Sequence, residues 1–391
     1  MRQGVVWLLG VFVGWLGLSV QAATLPVCHA IYDAGSSGTR LYLYTAEGDG
    51  WQAHVGPKVG ALADPVRAMR GKTLADMATV TTDIVQALAQ VVQDGPAAVA
   101  GQPLWRGYDW RKRCRLVSVR VLATAGMRMA EQENAEQSRV LWQMLRQKLR
   151  QALPSSVAVQ ARTLSGYEEG LFTWLAVQAQ TRRVDFGIVE MGGASSQIVF
   201  PCQGCDRTDD AVHTVRIGGQ WRRMYSYSFL GLGQDEAPRA LGVSAACAYG
   251  VGEQQPTWTP ADCTKEIPLR TETGALRDPY NYTAGHQGAV RKVPVEHRDA
   301  VDWVLTGAFN YLDHADIERL CLGKGGYFGE EKAACFRPVY LEMYLQALQV
   351  PISSPRSDVS WTLGAQVCHA TRCLPRRPVP VCRWRAQGCL D

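Results

Sequence analysis

The chain has 391 residues, of which 47% are hydrophobic and 20% are charged, and its formal net charge is +5. This composition is that of a globular protein long enough for two hydrophobic cores, and it excludes a disordered or fibrous chain. The basic residues occur in short clusters. A nucleic-acid groove would be more basic and more continuous, so we expect no nucleic-acid partner.

The first 22 residues have the pattern of a secretory signal. Arg2 precedes an apolar run from Val5 to Val20, and small residues follow up to Ala22. A membrane anchor is the alternative, but the run is short and broken by glycine compared with the ~20 apolar residues of a membrane span. We therefore expect a signal peptide at 1–22 and a soluble protein, secreted or periplasmic, with no membrane contact after its removal.

Twelve cysteines, an even number, are typical of an oxidising compartment. The neighbouring pairs are Cys202/Cys205, Cys247/Cys263, Cys321/Cys335, Cys368/Cys373 and Cys382/Cys389. Cys28 and Cys114 are left over and could pair at long range, although spacing alone does not determine connectivity. A zinc site at Cys202 and Cys205 is the alternative, but no second CxxC and no His pair lies nearby.

Strands and helices alternate along the first half of the chain. In chain order, the patterns predict strands at 29–33 and 40–44, a helix within 72–92, a strand at 116–123, a helix at 141–153, a strand at 157–161, a helix at 170–178, and strands at 186–191 and 195–200. Residues 202–294 are rich in Gly, Pro and polar residues and are predicted to form long loops. This order favours an α/β fold.

Two segments of this pattern are similar to each other. They read IYDAGSSGT (31–39) and VEMGGASSQ (189–197). Each ends a strand with an acid, Asp33 or Glu190, and continues with small residues and then hydroxyls. Two such units suggest a duplicated architecture in which each lobe supplies one loop to a shared cleft.

Both loops have the chemistry of a polyphosphate site. Gly, Ala and Ser allow backbone N–H groups to approach phosphate oxygens, and hydroxyls add donors. An acid at the start of each loop would repel phosphate unless a cation stood between them, so Asp33 and Glu190 are candidate holders of Mg²⁺ or Ca²⁺ through bound water. Either loop alone could be an ordinary Gly-rich turn, but two loops with matching acids favour the functional interpretation.

Two further segments are candidates for the same site. LSGYEEG (164–170) places two carboxylates, Glu168 and Glu169, at a helix start, where such residues are often helix caps. Phosphate hydrolysis also needs a base to orient or deprotonate water, and the seven scattered histidines offer none. ATAGMR (123–128) follows a strand and can form another phosphate-facing turn.

Six motifs occur in a specific order. They are DAGSSGTR (33–40), ATAGMR (123–128), SGYEEGLFTW (165–174), MGGASSQIVF (191–200), SYSFLGLGQDEA (226–237) and WTLGA (361–365). With these motifs the chain resembles the apyrase family, the nucleoside triphosphate diphosphohydrolases. The resemblance implies two actin-like α/β lobes of the RNase H-like type with an interlobe cleft, and metal-dependent hydrolysis of nucleoside tri- and diphosphates to monophosphates. We expect lobe I at 23–165, joined by 365–391, and lobe II at 166–364.

The resemblance also implies roles for single residues. Glu169 is the general base, Ser195 and Gln197 hold the attacking water, and Asp33 and Glu190 are the metal-side acids. The phosphate-binding positions are Ser36, Ser37, Gly38, Thr124, Ala125, Gly192, Gly193 and Ala194. Tyr340 matches a base-stacking tyrosine, with a core aromatic as the alternative, and Trp361 is expected to pack at the lobe junction.

Three positions depart from the family pattern. Glu190 stands where relatives usually have Asp, which puts the choice of metal in question. Gly38 stands where many relatives have His. Leu232-Gly233-Gln234 replaces Tyr-Gly-Arg, so that Gln234 takes the place of an arginine that grips the base, and base selectivity is open.

Two other functions compete with this interpretation. One is an exopolyphosphatase of the same superfamily, against which stand the signal segment and GGAS in place of GGGS. The other is a nucleotide-binding protein with weak catalysis. The intact set of Glu169, Ser195 and Gln197 argues against it, because a pure binder needs no base to activate water.

Overall fold

The structure is a computed structural model that describes several stretches of the chain. They are residues 25–67, 74–89, 92–94, 107–244, 247, 260–272, 289–291, 302–312, 336–375, 383–385 and 388–390. The predicted signal segment 1–22 lies outside them, as do Cys321, Cys335 and Cys382 of two predicted disulfides. Within these stretches no helix combines the length and the apolar character needed to cross a membrane.

The first part of the chain forms a seven-stranded sheet. Its elements are β1 (Val27–Gly35), β2 (Gly38–Glu47), β3 (Gly50–Val59), α1 (Leu74–Ala87), β4 (Val92–Asp94), β5 (Gly107–Tyr108), α2 (Trp110–Arg113), β6 (Arg115–Ala123), α3 (Ala125–Glu133), α4 (Ala135–Ala152) and β7 (Ala158–Thr163). The strand order is β5-β4-β3-β2-β1-β6-β7, with β2 antiparallel and β6 parallel to β1. α1 and α4 cover one face of this sheet.

The second part forms a five-stranded sheet with more helices. In chain order the elements are α5 (Gly166–Thr181), β8 (Phe186–Met191), β9 (Ser195–Pro201), β10 (Val212–Ile217), β11 (Gln220–Leu230), α6 (Ala237–Leu241), α7 (Pro260–Glu266), β12 (Arg270–Glu272), β13 (Ala289–Arg291), β14 (Asp302–Gly307), a 3-10 turn (Ala308–Tyr311), α8 (Phe336–Leu348), α9 (Trp361–Thr371), β15 (Arg383–Arg385) and β16 (Gly388–Leu390). The sheet order is β10-β11-β9-β8-β14, and β12–β13 and β15–β16 are separate strand pairs.

The two sheets share one topology. In each, an antiparallel strand (β3 or β11) lies beside a hairpin (β1–β2 or β8–β9), and a later strand (β6 or β14) lies parallel to the first strand of the hairpin on its other side. In the first sheet β7 pairs in parallel with β6, and in the second a parallel bridge between Leu305 of β14 and Arg356 takes the place of that strand. The prediction of two actin-like α/β lobes is confirmed, and Asp33 and Glu190 lie on equivalent strands.

α5 and α9 join the lobes through a shared core. α5 follows the first sheet but packs on β9 and β11, whereas α9 follows the second sheet and packs on β1, β2 and β3. The core around the two helices contains Ile31 and Tyr44 of the first sheet and Ile188 and Val199 of the second. Because both helices belong to this core, the lobe boundaries at 165 and 364 stay predictions.

Gly364 sets the distance between α5 and α9. A Cβ atom at this position would overlap the carbonyl oxygen of Phe172. We expect Gly364→Ala to force the helices apart and to lower the free energy of unfolding by ~3 kcal/mol or more. This is the upper end of the destabilisation that an extra buried methyl group usually causes. Urea unfolding measures this. Gly60→Ala is the control, because its Cβ would meet only Val80 Cγ2, at 3.9 Å. Equal midpoints for the two variants would contradict the close helix crossing.

Four predicted disulfides are confirmed. They are Cys28–Cys114, Cys202–Cys205, Cys247–Cys263 and Cys368–Cys373. The zinc alternative at Cys202 and Cys205 is wrong, because each sulfur of this pair is bonded to the other.

The prediction of long loops throughout 202–294 is wrong for residues 212–230. These residues form β10 and β11, which extend the second sheet as an antiparallel hairpin. The serines of β11 obscure the strand in the sequence, because alternating polar residues read as a solvent-exposed face. Ser226 and Ser228 are buried instead, and their hydroxyls bond to Tyr167 O at 3.3 Å and to Gln197 Nε2 at 2.9 Å.

Candidate active site

Glu169 lies in the first turn of α5, which two glycines hold close to the second sheet. A Cβ atom at Gly170 would lie 2.8 Å from Val199 Cγ2, and one at Gly166 would overlap Ser228 Cβ. A larger residue at either position would push the helix away from β9 and β11. The glycines of the SGYEEG motif therefore bring Glu169 against these strands.

The two adjacent carboxylates of α5 have different partners. Glu168 completes a capping box with Ser165, whose hydroxyl accepts from the Glu168 backbone N–H at 3.2 Å. Glu168 also pairs with Arg162 at 2.5 Å. Glu169 is buried and pairs with Arg128 at 2.8 Å. The helix-cap interpretation therefore applies to Glu168, and Glu169 takes no part in capping.

Gln197 lies within hydrogen-bond reach of both Glu169 and Ser195. Gln197 Nε2 is 2.8 Å from Ser195 Oγ and 3.4 Å from Glu169 Oε2. Ser195 and Gln197 share one face of β9, because they are two residues apart in a strand. Arg128 joins two of the three, since it donates to Glu169 Oε2 at 2.8 Å and to Ser195 Oγ at 2.9 Å.

The Gln197 amide leaves one acceptor open. Its Nε2 donors face the hydroxyls of Ser195 and Ser228. Its Oε1 is buried and has no hydrogen-bond partner in the described part of the chain. An unpaired buried acceptor costs roughly 1–3 kcal/mol. A water molecule that donates to this oxygen would remove that cost, and the amide that binds it has its Nε2 atom 3.4 Å from Glu169 Oε2.

The turn between β1 and β2 (the first loop, residues 35–38) faces the segment between β8 and β9 (the second loop, residues 192–194). A Cβ atom at Gly193 would lie 2.5 Å from Ser36 Oγ, and one at Gly126 would lie 3.0 Å from Ser36 Cα. Ser36 thus lies between the second loop and the first turn of α3. Ser37, next to it, is exposed at the tip of the turn.

Thr124 and Ala125 begin a helix, where the sequence predicts only a turn. Thr124 is the N-cap of α3, and its N–H donates to Ala34 O at 3.2 Å beside the end of β1. Ala125 packs with Ala194 of the second loop. The helix N-terminus, where backbone N–H groups lack intrahelical partners, therefore meets both loops.

Backbone hydrogen bonds hold the second loop in place. Gln234 N–H donates to Gly192 O at 2.9 Å, and Asp235 N–H donates to Gly193 O at 2.8 Å. These bonds occupy carbonyl oxygens that would otherwise repel a phosphate. The side chain of Gln234 is 8% exposed, and its contact with the base stays a prediction.

Three carboxyl groups from three motifs influence one another. Burial raises the pKa of Asp33 to about 7, and Glu169 adds to the rise. Burial raises the pKa of Glu190 well above its usual range, and Glu169 and Asp33 add to it. Burial also raises the pKa of Glu169, which Arg128 opposes. Three ionised acids in one buried cleft are unfavourable unless protons or a cation reduce their charge.

Asp33 and Glu190 suit a divalent cation. Glu190 Oε2 is buried and accepts no hydrogen bond from any described residue. Asp33 accepts a hydrogen bond from the Trp361 indole at the start of α9. Within the described residues, no three His, Cys, Asp or Glu side chains are placed to coordinate one ion directly. Two neighbouring acids, one of them with an open oxygen, fit Mg²⁺ or Ca²⁺ held partly through water.

Tyr340 lies in the core of the second lobe. Its ring is stacked on Phe336 with centroids 4.9 Å apart and is fully buried. Its hydroxyl donates to Leu232 O at 2.6 Å. A base cannot stack on an enclosed ring, so the structure favours the core aromatic of the two alternatives for Tyr340.

Arg128, Ser228 and Trp361 are site residues that the sequence patterns do not single out. All three lie in the motifs that carry the family resemblance, ATAGMR, SYSFLGLGQDEA and WTLGA. Arg128 is the most informative, because it is buried and pairs with Glu169 at 2.8 Å. Trp361 packs in the shared core, as expected, and in addition donates to Asp33.

The fold and the site define a two-lobed α/β protein in which two Gly-rich loops meet beside three buried carboxyl groups. The model of the GDA1/CD39 (nucleoside phosphatase) family matches residues 28–247, which is more than half of the chain. The chain belongs to this family.

Curated relatives are about a quarter identical to this chain over the residues that align. Ectonucleoside triphosphate diphosphohydrolase 2 of Mus musculus is 27% identical over 262 residues, 61% of this chain and 48% of that protein. Probable apyrase 4 of Arabidopsis thaliana is 27% identical over 272 residues, 66% of this chain and 50% of that protein. The chain therefore spans about half the length of the curated relatives it matches.

Similar solved structures include nucleoside triphosphate hydrolases from Neospora caninum, which are 15% identical to this chain. The match covers 88% of this chain and 92% of that chain, with a TM-score of 0.48. The Ppx/GppA family member of Aquifex aeolicus has 13% identity, 88% and 98% coverage, and a TM-score of 0.46.

Proposed function

We propose that the chain is a secreted apyrase that hydrolyses nucleoside tri- and diphosphates to monophosphates and phosphate. The observation that carries the proposal is the meeting of Glu169, Ser195 and Gln197 beside two facing Gly-rich loops. Membership of the GDA1/CD39 (nucleoside phosphatase) family supports it. The names of two relatives, ectonucleoside triphosphate diphosphohydrolase 2 and probable apyrase 4, support the nucleotide substrate.

In the proposed mechanism, Gln197 Oε1 and Glu169 accept hydrogen bonds from the two O–H groups of a water molecule. The water oxygen bonds to the terminal phosphorus, the bridging P–O bond breaks, and the shortened nucleotide leaves with the bridging oxygen. Glu169 takes the proton that the water loses. Its raised pKa brings it closer to neutral pH, where a general base is most effective. Arg128 positions both Glu169 and Ser195.

The phosphates lie, in this proposal, between the two loops and the start of α3. Ser36, Ser37 and Gly38 bind from the first loop. Thr124 and Ala125 bind from the helix start, and Gly192, Gly193 and Ala194 from the second loop. Backbone N–H groups and hydroxyls held in a rigid arrangement stabilise the charge of the transition state without reorganisation.

Asp33 and Glu190 are proposed to hold a divalent cation through bound water. When bound, Mg²⁺ or Ca²⁺ neutralises phosphate charge and allows the polyphosphate to approach these acids. Trp361 keeps the Asp33 carboxyl oriented through its indole N–H.

We further propose that Tyr340 and Gln234 contribute to nucleotide binding indirectly. Tyr340 holds Leu232, and Gln234 holds Gly192, so both stabilise the second loop. Export from the cytoplasm is supported by the signal pattern at 1–22 and by the four disulfides of the described residues, which are typical of oxidising compartments.

Phosphate release from a substrate panel tests the proposed function. We expect release from ATP and ADP with Mg²⁺ or Ca²⁺, none from AMP, and loss of at least ~100-fold in excess EDTA, the scale of a misplaced reacting group. Restoring the metal ion after EDTA is the control. Release from long-chain polyphosphate alone would identify an exopolyphosphatase. Nucleotide binding without release would indicate a binding protein. Hydrolysis in metal-free buffer would contradict the roles of Asp33 and Glu190.

A further inference from the structure

Lys58 ends a row of charged residues that crosses three strands of the first sheet. In the strand register, Asp33 of β1 lies opposite Arg40 of β2, and Arg40 lies opposite Lys58 of β3. Directly opposite residues of antiparallel strands point their side chains to the same face. The row therefore places one carboxylate and two cations on the same face, at the end of the sheet that carries the first loop.

The Lys58 side chain lies against the first loop. A Cβ atom at Gly38 would overlap Lys58 Cε and lie 3.3 Å from Lys58 Cδ. Because Gly38 has no side chain, the lysine stem can lie along the end of the loop. Lys58 is exposed, and among the described residues its ammonium group has no hydrogen bond or ion pair.

Lys58 is also close to acids of both lobes. Burial raises the pKa of Asp235, and Arg337 and Lys58 oppose that rise. Lys58 likewise opposes the rise in the pKa of Asp33. Asp235 Oδ2 would lie 2.6 Å from a Cβ atom at Gly193, so this carboxylate stands at the second loop. The Lys58 ammonium is therefore near both loops.

Two arginines of the site are already engaged. Arg337 pairs with Asp235 at 2.5 Å, and Arg128 pairs with Glu169 at 2.8 Å. A polyphosphate that enters the cleft adds several negative charges to those of the acids. Lys58 carries an ammonium group with three donors on a flexible side chain. Because this group is unpaired among the described residues, it can bind the added negative charge.

We propose that Lys58 binds non-bridging oxygens of the substrate polyphosphate and closes the mouth of the cleft from the first lobe. The inference rests on the proposed function and adds a substrate-binding residue to it. The contact is to the phosphate chain, so its contribution is the same for purine and pyrimidine nucleotides. It is present before the reaction and in the transition state alike, so it acts on KM and hardly on kcat.

Kinetics of Lys58→Met and Lys58→Arg test the proposal. For Lys58→Met we expect KM for both ATP and UTP to rise ~10-fold, which corresponds to about 1.4 kcal/mol, with little change in kcat. Lys58→Arg keeps the charge and should restore most of the affinity. Calorimetric titration with a non-hydrolysable ATP analogue should show the same ~10-fold loss for Lys58→Met, again about 1.4 kcal/mol.

Lys112→Met is the matched control. Lys112 is an exposed lysine whose helix precedes β6, at the opposite end of that strand from Thr124. Its replacement should leave KM and the analogue affinity unchanged. Wild-type KM and affinity in Lys58→Met, or a fall in kcat alone, would overturn the role of Lys58 while leaving the proposed function intact. If wild-type protein released no phosphate from nucleotides, the proposed function would fail, and the titration would still decide whether Lys58 binds polyphosphate.

Discussion

Replacing Glu169 by glutamine is expected to lower turnover at least ~100-fold, the scale of a positioned general base. The glutamine keeps the shape of the side chain and can still accept from Arg128, but its amide cannot take a proton from water. Affinity for a non-hydrolysable ATP analogue should stay near the wild-type value, because Glu169 does not belong to the phosphate loops. Steady-state kinetics and calorimetric titration measure the two quantities separately.

Glu168→Gln is the matched control for this prediction. It removes the charge of the adjacent carboxylate, which caps α5 and pairs with Arg162. We expect it to reduce the free energy of unfolding by about 1 kcal/mol, as for other helix caps, with turnover close to wild type. A larger loss of turnover in Glu168→Gln than in Glu169→Gln would show that the base is assigned to the wrong carboxylate.

Replacing Glu190 by glutamine is expected to have opposite effects on turnover and on stability. Turnover should fall at least ~100-fold, because misplacing a group at the reacting centre by about 1 Å already costs this much. In the absence of divalent ions, however, the variant should be more stable than wild type at pH 8. Its amide removes one of three acids that repel one another in a buried cleft.

The pH dependence of stability follows from the same cluster. The folded protein holds the proton of Asp33, with a pKa of about 7, more tightly than the unfolded chain does. The free energy of unfolding of metal-free protein should therefore fall as pH rises from about 4 towards 7, an unfolded Asp having a pKa of about 3.9. Thermal unfolding in EDTA at pH 5 and pH 8 measures this.

The pH dependence of the free energy of unfolding should differ between Glu190→Gln and wild type. Glu190→Gln should show a smaller loss of stability between pH 5 and pH 8, and added Ca²⁺ should stabilise it less than wild type. An unchanged pH dependence and an unchanged response to Ca²⁺ would mean that Glu190 serves no cation.

Glu190→Asp tests the departure from the family pattern. It keeps the charge but retracts the carboxylate by one methylene. We expect a fall in kcat and a change in the preference between Mg²⁺ and Ca²⁺, because Mg²⁺ demands the stricter geometry. A several-fold rise in activity would instead show that Glu190 lowers the activity relative to Asp at this position.

Much of the fold follows from local patterns. Residues 116–123 alternate between apolar and polar side chains, and residues 186–191 are mostly apolar, so both strands can be predicted without a structure. The similar segments around Asp33 and Glu190 likewise predict the two lobes. β11 was not predicted from the sequence, because Ser226 and Ser228 are polar yet buried. Their burial is explained only by their hydrogen-bond partners on α5 and β9.

The candidate site divides in the same way. The motifs by themselves determine the residue types at the site, the two Gly-rich loops and the acids that begin them, since these are properties of segments a few residues long. Only the tertiary structure decided that Glu168 caps α5 while Glu169 meets Arg128, that Tyr340 is enclosed, and that Lys58 lies along the first loop. Arg128, Glu169 and Ser195 belong to segments far apart in the chain. Their distances depend on how closely α5 approaches β9 and β11, which the packing at Gly166 and Gly170 sets.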